Sequence, residues 1–297
     1  MRRIEHWVFL GDSLTEGIGR DRVSYVSELA QNLRGKMAPL STSPIRVGYF
    51  RVRKVQPDAF NKYISVNFAG LWEPPAGHDK FDLIVWNLGA EATTTADDIR
   101  WLTLLKILNP KLIVVMRGAL ESIVRPRSLQ SGCWPWWVPS TWRDCVSMDP
   151  RCYFSGPWWR VTKQRTVDLI KQRLRLRMLA DGGAPMHAAN RVFENYVTLL
   201  DGLKECCANI AVCGLLPVSD KTFPGSSASF RNINQGLRKI AERCGAHFIN
   251  WEELLGHPLN WQQLLYRDGF HPNMAGAKLI GQKLSDHLFQ TVGVQSA

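Results

Sequence analysis

The chain has no apolar run near the roughly 20 residues that a bilayer-spanning helix needs, so a helical membrane bundle is excluded. It has no Cys-x-x-Cys pair, and its seven cysteines are an odd number, so neither a zinc site nor a complete disulfide framework is expected. Reduced cysteines in a cytoplasmic protein are the expectation, with a bridge among Cys133, Cys145 and Cys152 as the alternative. Internal repeats and long low-complexity linkers are missing. The apolar stretch before Gly11 runs only from Trp7 to Leu10, short of the about 7 to 15 residues of a secretory signal, so no targeting segment is read. Acid is scarce: 26 Asp and Glu face 37 Lys and Arg, for a formal net charge of +11. Such a surplus suits nucleic acid, an anionic membrane face or an acidic polymer. No nucleic-acid motif accompanies it, which disfavours the first.

What is present is ordinary globular material. In 297 residues, 45% hydrophobic and 21% charged, there is room for two small domains or one large one with an insertion. Short apolar runs that read as buried strands fall at 7–10, 45–55, 63–68, 82–88, 112–116, 210–216 and 247–250. Helical spacing occupies 23–33, 96–108, 192–206, 230–244 and 274–288. Strand and helix alternate toward both ends, which predicts an α/β protein with a mainly parallel sheet covered on both faces. One domain over 1–297 is expected, with an insertion at 120–190 that can act as a lid.

The insertion holds Trp134, Trp136, Trp137, Trp142, Trp158 and Trp159, half of the chain's 12 tryptophans. Buried, they make a local core; exposed in a groove, they stack on sugars or touch acyl chains. The segment 160–177 carries seven basic residues against one acid, Asp168. Val167, Ile170, Leu174 and Met178 fall on one helical face, so a basic amphipathic helix is predicted. It is either a solvated face, a hold for an anionic glycan, or a peripheral membrane contact.

Two blocks carry chemistry. Gly11-Asp12-Ser13-Leu14 follows the first strand, and ligands of open α/β sheets bind at strand C-terminal ends. Alone, such a block is often a turn into a helix cap, with Asp12 and Glu16 as local hydrogen-bonding groups. A serine hydroxyl becomes a useful nucleophile only when a base takes its proton. Asp268-Gly269-Phe270-His271 supplies that base, since a carboxylate and an imidazole three residues apart can meet on one turn. The other histidines have no comparable setting and read as structural.

These blocks, in this order at opposite ends of the chain, resemble the GDSL, or SGNH, hydrolase family. The resemblance covers about residues 4–118 and 192–290. It implies a flavodoxin-like three-layer α/β/α sandwich and a serine esterase needing no cofactor or metal. By that resemblance Ser13 is the nucleophile, His271 the general base and acid, and Asp268 its orienter. The oxyanion hole would use the Ser13 N–H, a glycine that Gly70 fits best, and an asparagine side chain. There the sequence departs from the pattern: Gly89-Ala90-Glu91-Ala92 stands where the family has Gly-x-Asn-Asp. An ionised Glu91 accepts hydrogen bonds and repels a developing oxyanion. Three readings stay open. Asn87 or Thr93 substitutes as donor; Glu91 is protonated or faces elsewhere; or the protein binds more than it turns over. Asp12 and Glu91 are expected to line the site. The expected substrate is a small-molecule or saccharide ester, with an acetyl group on a carbohydrate favoured. Transfer of the acyl group to a sugar hydroxyl, and a non-catalytic binding role on a degenerate scaffold, are the alternatives.

Overall fold

A computed structural model of the chain describes residues 5–17, 24–37, 47–51, 82–132, 134, 136, 138–143, 146–152, 154, 156–256 and 260–293. The strand expected at 63–68, Gly70, and the cysteines Cys133 and Cys145 lie outside these residues.

In chain order the strands are β1 (Glu5–Gly11), β2 (Val47–Arg51), β3 (Leu83–Asn87), β4 (Leu112–Met116), β5 (Val124–Pro126), β6 (Gly183–Pro185), β7 (Ile210–Cys213) and β8 (His247–Ile249). Six of them form one sheet in the order β2-β3-β1-β4-β7-β8. Every pairing in it is parallel. Parallel strands need both faces covered, and the runs that form them are apolar on both faces. Trp7, Val8, Phe9 and Leu10 are fully buried in succession, and all five residues of β4 are buried. Because β1 is central, with β3 on one side and β4 on the other, its C-terminal end opens at the switch point of the sheet.

The helices are α1 (Ser13–Glu16), α2 (Tyr25–Met37), α3 (Leu102–Leu108), α4 (Ala119–Ser122), α5 (Arg127–Gln130), α6 (Trp158–Leu179), α7 (Ala189–Lys204), α8 (Ser226–Arg243), α9 (Trp251–Leu255), α10 (Trp261–Leu264) and α11 (Met274–Leu288). The sheet and its flanking helices form the α/β sandwich expected from the strand–helix alternation. The expected helix at 96–108 is divided: a 3₁₀ segment, Thr95–Trp101, precedes α3. Its capping box holds the start, with the Thr94 N–H donating to Asp97 at 2.7 Å.

Between β4 and α7 the chain leaves the sheet. β5 and β6 pair antiparallel, and Leu129, Met148 and Met178 make a small second core with Trp134, Trp142 and Leu174 packed on it. Two of the tryptophans are therefore core residues, while Trp136, Trp158 and Trp159 are exposed. The helix expected at 160–177 is present as α6, with Leu174 and Met178 of the predicted stripe turned inward, but the buried face also carries charge and leaves Ile170 outside. Ile170 is exposed, and Asp168, Arg175 and Met178 are the buried residues. Charge is tolerated there because each group meets a partner. Arg267 reaches Asp168 at 2.6 Å, and Arg175 donates to the Thr222 carbonyl. Arg125, also fully buried, donates to Asp149 Oδ2 at 2.7 and 3.0 Å, and Arg175 Nη1 lies 3.7 Å from Asp149 Oδ1. Desolvation lowers the Arg175 pKa from its ordinary value, with Arg125 adding to the fall and Asp149 resisting it.

A second buried pair anchors the end of β4. Arg117 binds Asp98 through two guanidinium nitrogens and donates to Thr93 Oγ1 at 2.6 Å. Burial pushes the Asp98 carboxyl up to about 6 against the pull of Arg117. Tyr196 of α7 closes the arrangement: its hydroxyl accepts from the Arg117 N–H at 3.0 Å and donates to the Arg117 carbonyl at 2.9 Å. Tyr196→Phe strands both backbone groups in a site without water access. It should lower unfolding free energy by about 1 to 3 kcal/mol in urea titration, with the far-ultraviolet spectrum unchanged.

Candidate active site

Ser13 is the first residue of α1, directly after the central strand. Asp12 caps this turn, its carboxylate accepting from the Leu14 N–H at 2.9 Å. Burial raises the Asp12 pKa, and nearby Arg117 opposes the rise. Asp12 is thus a buried cap and does not line the cleft as expected from the sequence. Two glycines permit the tight geometry. A Cβ on Gly11 would run into the Thr15 side chain, and one on Gly89 would run into the backbone of Thr15 and Glu16. The loop after β3 therefore lies directly against the serine turn, with the Ala90 N–H donating to the Gly11 carbonyl at 2.9 Å.

The other half of the site sits on the loop before α11. Asp268 is buried, and its Oδ1 accepts from the Phe270 and His271 N–H groups at 3.0 and 3.1 Å. Gly269 bends this turn at φ +67, where its neighbours Ser219 and Thr222 leave no room for a side chain. Phe270 packs edge-on against Phe223 and Phe230, fixing the loop against the start of α8. The result is a continuous relay. His271 Nδ1 lies 2.6 Å from Asp268 Oδ2, and His271 Nε2 lies 2.8 Å from Ser13 Oγ. The carboxylate sets the tautomer with the proton on Nδ1, which leaves Nε2 free to accept from the serine.

The relay opens into a cleft of about 490 Å³ lined on the sheet side by Ser13, Glu91, Ala92 and His271. The insertion supplies the opposite wall, including Arg125, Asp149, Arg151, Cys152, Phe154 and Gln164. The sequence marks none of these residues as part of the cleft: Cys152 stands out only as a possible bridge partner, and the loop residues have no periodicity to show which side chains turn inward. Among the described residues, Cys152, Asp268 and His271 form a cluster with metal-ligand atoms within 4.8 Å of one another. Both ring nitrogens of His271 are already in the relay, so a metal there would compete with it.

The two expected substitute donors do not serve. Asn87 is fully buried, and its two amide hydrogens go to the Thr15 carbonyl at 2.8 Å and Ser24 Oγ at 3.2 Å. Its Oδ1 accepts from the Gly89 N–H, so the whole carboxamide braces the serine turn from beneath. Thr93 Oγ1 donates to the Ala90 carbonyl at 2.6 Å and accepts from Arg117. Glu91 keeps its place on the cleft wall with its side chain exposed, and its own N–H donates to Glu16 Oε2 at 2.6 Å. Ala92 follows in a left-handed conformation at φ +56, a local strain beside the serine. As the first residue of a helical turn, Ser13 has an N–H with no intrahelical acceptor, so it can serve an oxyanion.

Residues 161–279 match the family of GDSL-like lipases and acylhydrolases. Over these residues the chain is similar to GDSL-like hydrolases. The match takes in most of α6, which the motif resemblance left outside, and it includes Asp268 and His271. No protein with a curated description matches the sequence. Among solved structures, a catalytic mutant of Axe2, an acetylxylan esterase from Geobacillus stearothermophilus, is similar with a TM-score of 0.51 at 14% identity, covering 99% of this chain and 97% of that one. The lipase/acylhydrolase from Enterococcus faecalis is similar with a TM-score of 0.52 at 12% identity, covering 96% and 95%. At such identities the likeness concerns the fold, and it extends over nearly the whole chain.

Gly89→Ala tests the close approach of the β3 loop to the serine turn. The added methyl must push backbone from backbone, so ester hydrolysis should fall by at least about 100-fold, as expected when reacting groups are misplaced by about 1 Å. A variant that stays folded by circular dichroism and keeps full activity would show that the contact is dispensable.

Proposed function

We propose that Ser13, His271 and Asp268 act as the nucleophile, base and orienter of a serine ester hydrolase that removes an O-acetyl group from a carbohydrate. The observation that carries the reading is the unbroken 2.8 Å and 2.6 Å relay from Ser13 through His271 to Asp268. His271 takes the Ser13 proton as Oγ bonds to the acyl carbon. The charge that develops on the carbonyl oxygen meets the Ser13 N–H. Collapse of this intermediate breaks the ester C–O bond, and His271 returns the proton to the departing sugar oxygen. Water, deprotonated by the same imidazole, then releases the acid and restores Ser13.

Three features support the finer reading. The cleft beside Ser13 is open enough for an extended substrate and has Phe154 and Phe223 in its lining, each backed by an arginine guanidinium. The similar Axe2 fold belongs to an acetylxylan esterase. Residues 120–190 supply one wall of the cleft, which suits the role of a lid in a single domain. Cys206, Cys207, Cys213 and Cys244 are free, which fits a reducing compartment such as the cytoplasm. Among the described residues, no helix is long and apolar enough to cross a membrane.

Hydrolysis of p-nitrophenyl acetate by wild type and Ser13→Ala is the direct test. The variant should lose on the order of 10³-fold or more in kcat, with folding preserved; equal rates would exclude the serine mechanism. Glu91→Gln removes a negative charge from the cleft wall at constant length. It should raise kcat by about 10-fold or more, approaching the effect of a restored oxyanion donor. A fall in kcat would instead show that the carboxylate assists the reaction.

A further inference from the structure

Among the described residues, five of the nine exposed large hydrophobic side chains lie on the outward side of α6. At about 100° per residue, Trp158, Leu169 and Leu176 fall within about 20° of one another. Their exposures are 80%, 53% and 36%, and Trp159 and Ile170 on the same side are 54% and 46% exposed. Between these apolar groups stand Lys163, Arg165, Arg173 and Arg177, all exposed, with Arg160 at the margin. Apart from Arg160, these residues lie within an arc of about 160° on the 22-residue helix. The arc contains no acid, because the helix's one carboxylate, Asp168, is buried on the opposite side against Arg267.

We propose that this face of α6 docks on an anionic lipid surface. Tryptophan and aliphatic side chains gain by entering the acyl boundary, and cations flanking them meet anionic headgroups. Arg and Lys stems are long enough to keep their charge at headgroup level while the apolar groups go deeper. A second copy of the chain fits this face poorly. A two-fold contact places the same patch on both sides, so these cations would oppose their own counterparts. A nucleic acid or acidic polymer would satisfy the charge but would leave Leu169, Ile170 and Leu176 without a role. The inner side of α6 bears Gln164 on the cleft wall, so docking would hold that wall from behind.

Co-sedimentation with vesicles tests the proposal. Vesicles of phosphatidylcholine alone are compared with phosphatidylcholine and phosphatidylglycerol at about three to one. Wild type should partition at least about tenfold more strongly onto the anionic vesicles. Two variants with exposed substitutions follow. One is Lys163→Gln/Arg165→Gln/Arg173→Gln, and the other is Trp158→Ser/Leu169→Ser/Ile170→Ser; each should lose most of that partitioning. Equal or absent binding to the two vesicle types overturns the proposal. So does full retention by either variant, since loss through charge alone marks a simple polyanion site and loss through apolar groups alone marks a lipid site indifferent to charge. Ser13→Ala should bind vesicles like wild type, which separates this test from that of the hydrolytic mechanism.

Discussion

The site depends on one close contact, the packing of the β3 loop onto the turn that carries Ser13. Gly89 meets the backbone of Thr15 and Glu16, and Gly11 gives way to the Thr15 side chain. Asn87 then ties the underside of the turn to β3 through the Thr15 carbonyl and Ser24. With the turn fixed on the central strand, the Ser13 hydroxyl has a set direction. The Asp268 loop, bent at Gly269 and wedged by Phe270, brings His271 to meet it. The relay is therefore a product of backbone fit rather than of the side chains in it, which contact one another only at their tips.

The far wall of the cleft is held by a different kind of force. Arg125, Asp149 and Arg175 form a buried ionic cluster, while Asp168 reaches across to Arg267. Buried ions contribute little net stability, yet removing one partner is expensive because the other is left uncompensated. Such contacts have directional demands that aliphatic packing lacks. They position the insertion over the cleft with few alternatives, whereas its own apolar core, around Leu129, Met148 and Met178, is small.

Much of this was legible in the amino acids. The consecutive apolar residues of β1 and β4 could only be buried strands, and the spacing of α11 marked both of its ends. Ser13, Asp268 and His271 stood out because each lies in a short block of known chemical use, and the structure brings all three together. Asn87 misled because position in the chain does not reveal which way an amide turns; packing directs it into the core. Ile170 misled for a related reason. Periodicity groups residues by face, but burial of the charged Asp168 and Arg175 turned α6 far enough to leave Ile170 outside while Leu174 and Met178 stay inward. The cleft residues Arg125, Asp149 and Arg151 gave no signal, since their pairing is settled only when distant segments meet.

The separation of 258 positions between Ser13 and His271 also fixes when the site can exist. Synthesis at about 5 to 20 residues per second leaves roughly 13 to 50 s between the appearance of the serine and that of its base. Until then α2 also lacks α11, the last helix, which packs on it, and the nascent chain holds the Ser13 hydroxyl without the imidazole that meets it in the fold. On the proposed mechanism the protein carries its own delay: a ribosome-bound fragment can form sheet before it can turn over ester, and a chain truncated before His271 is inert.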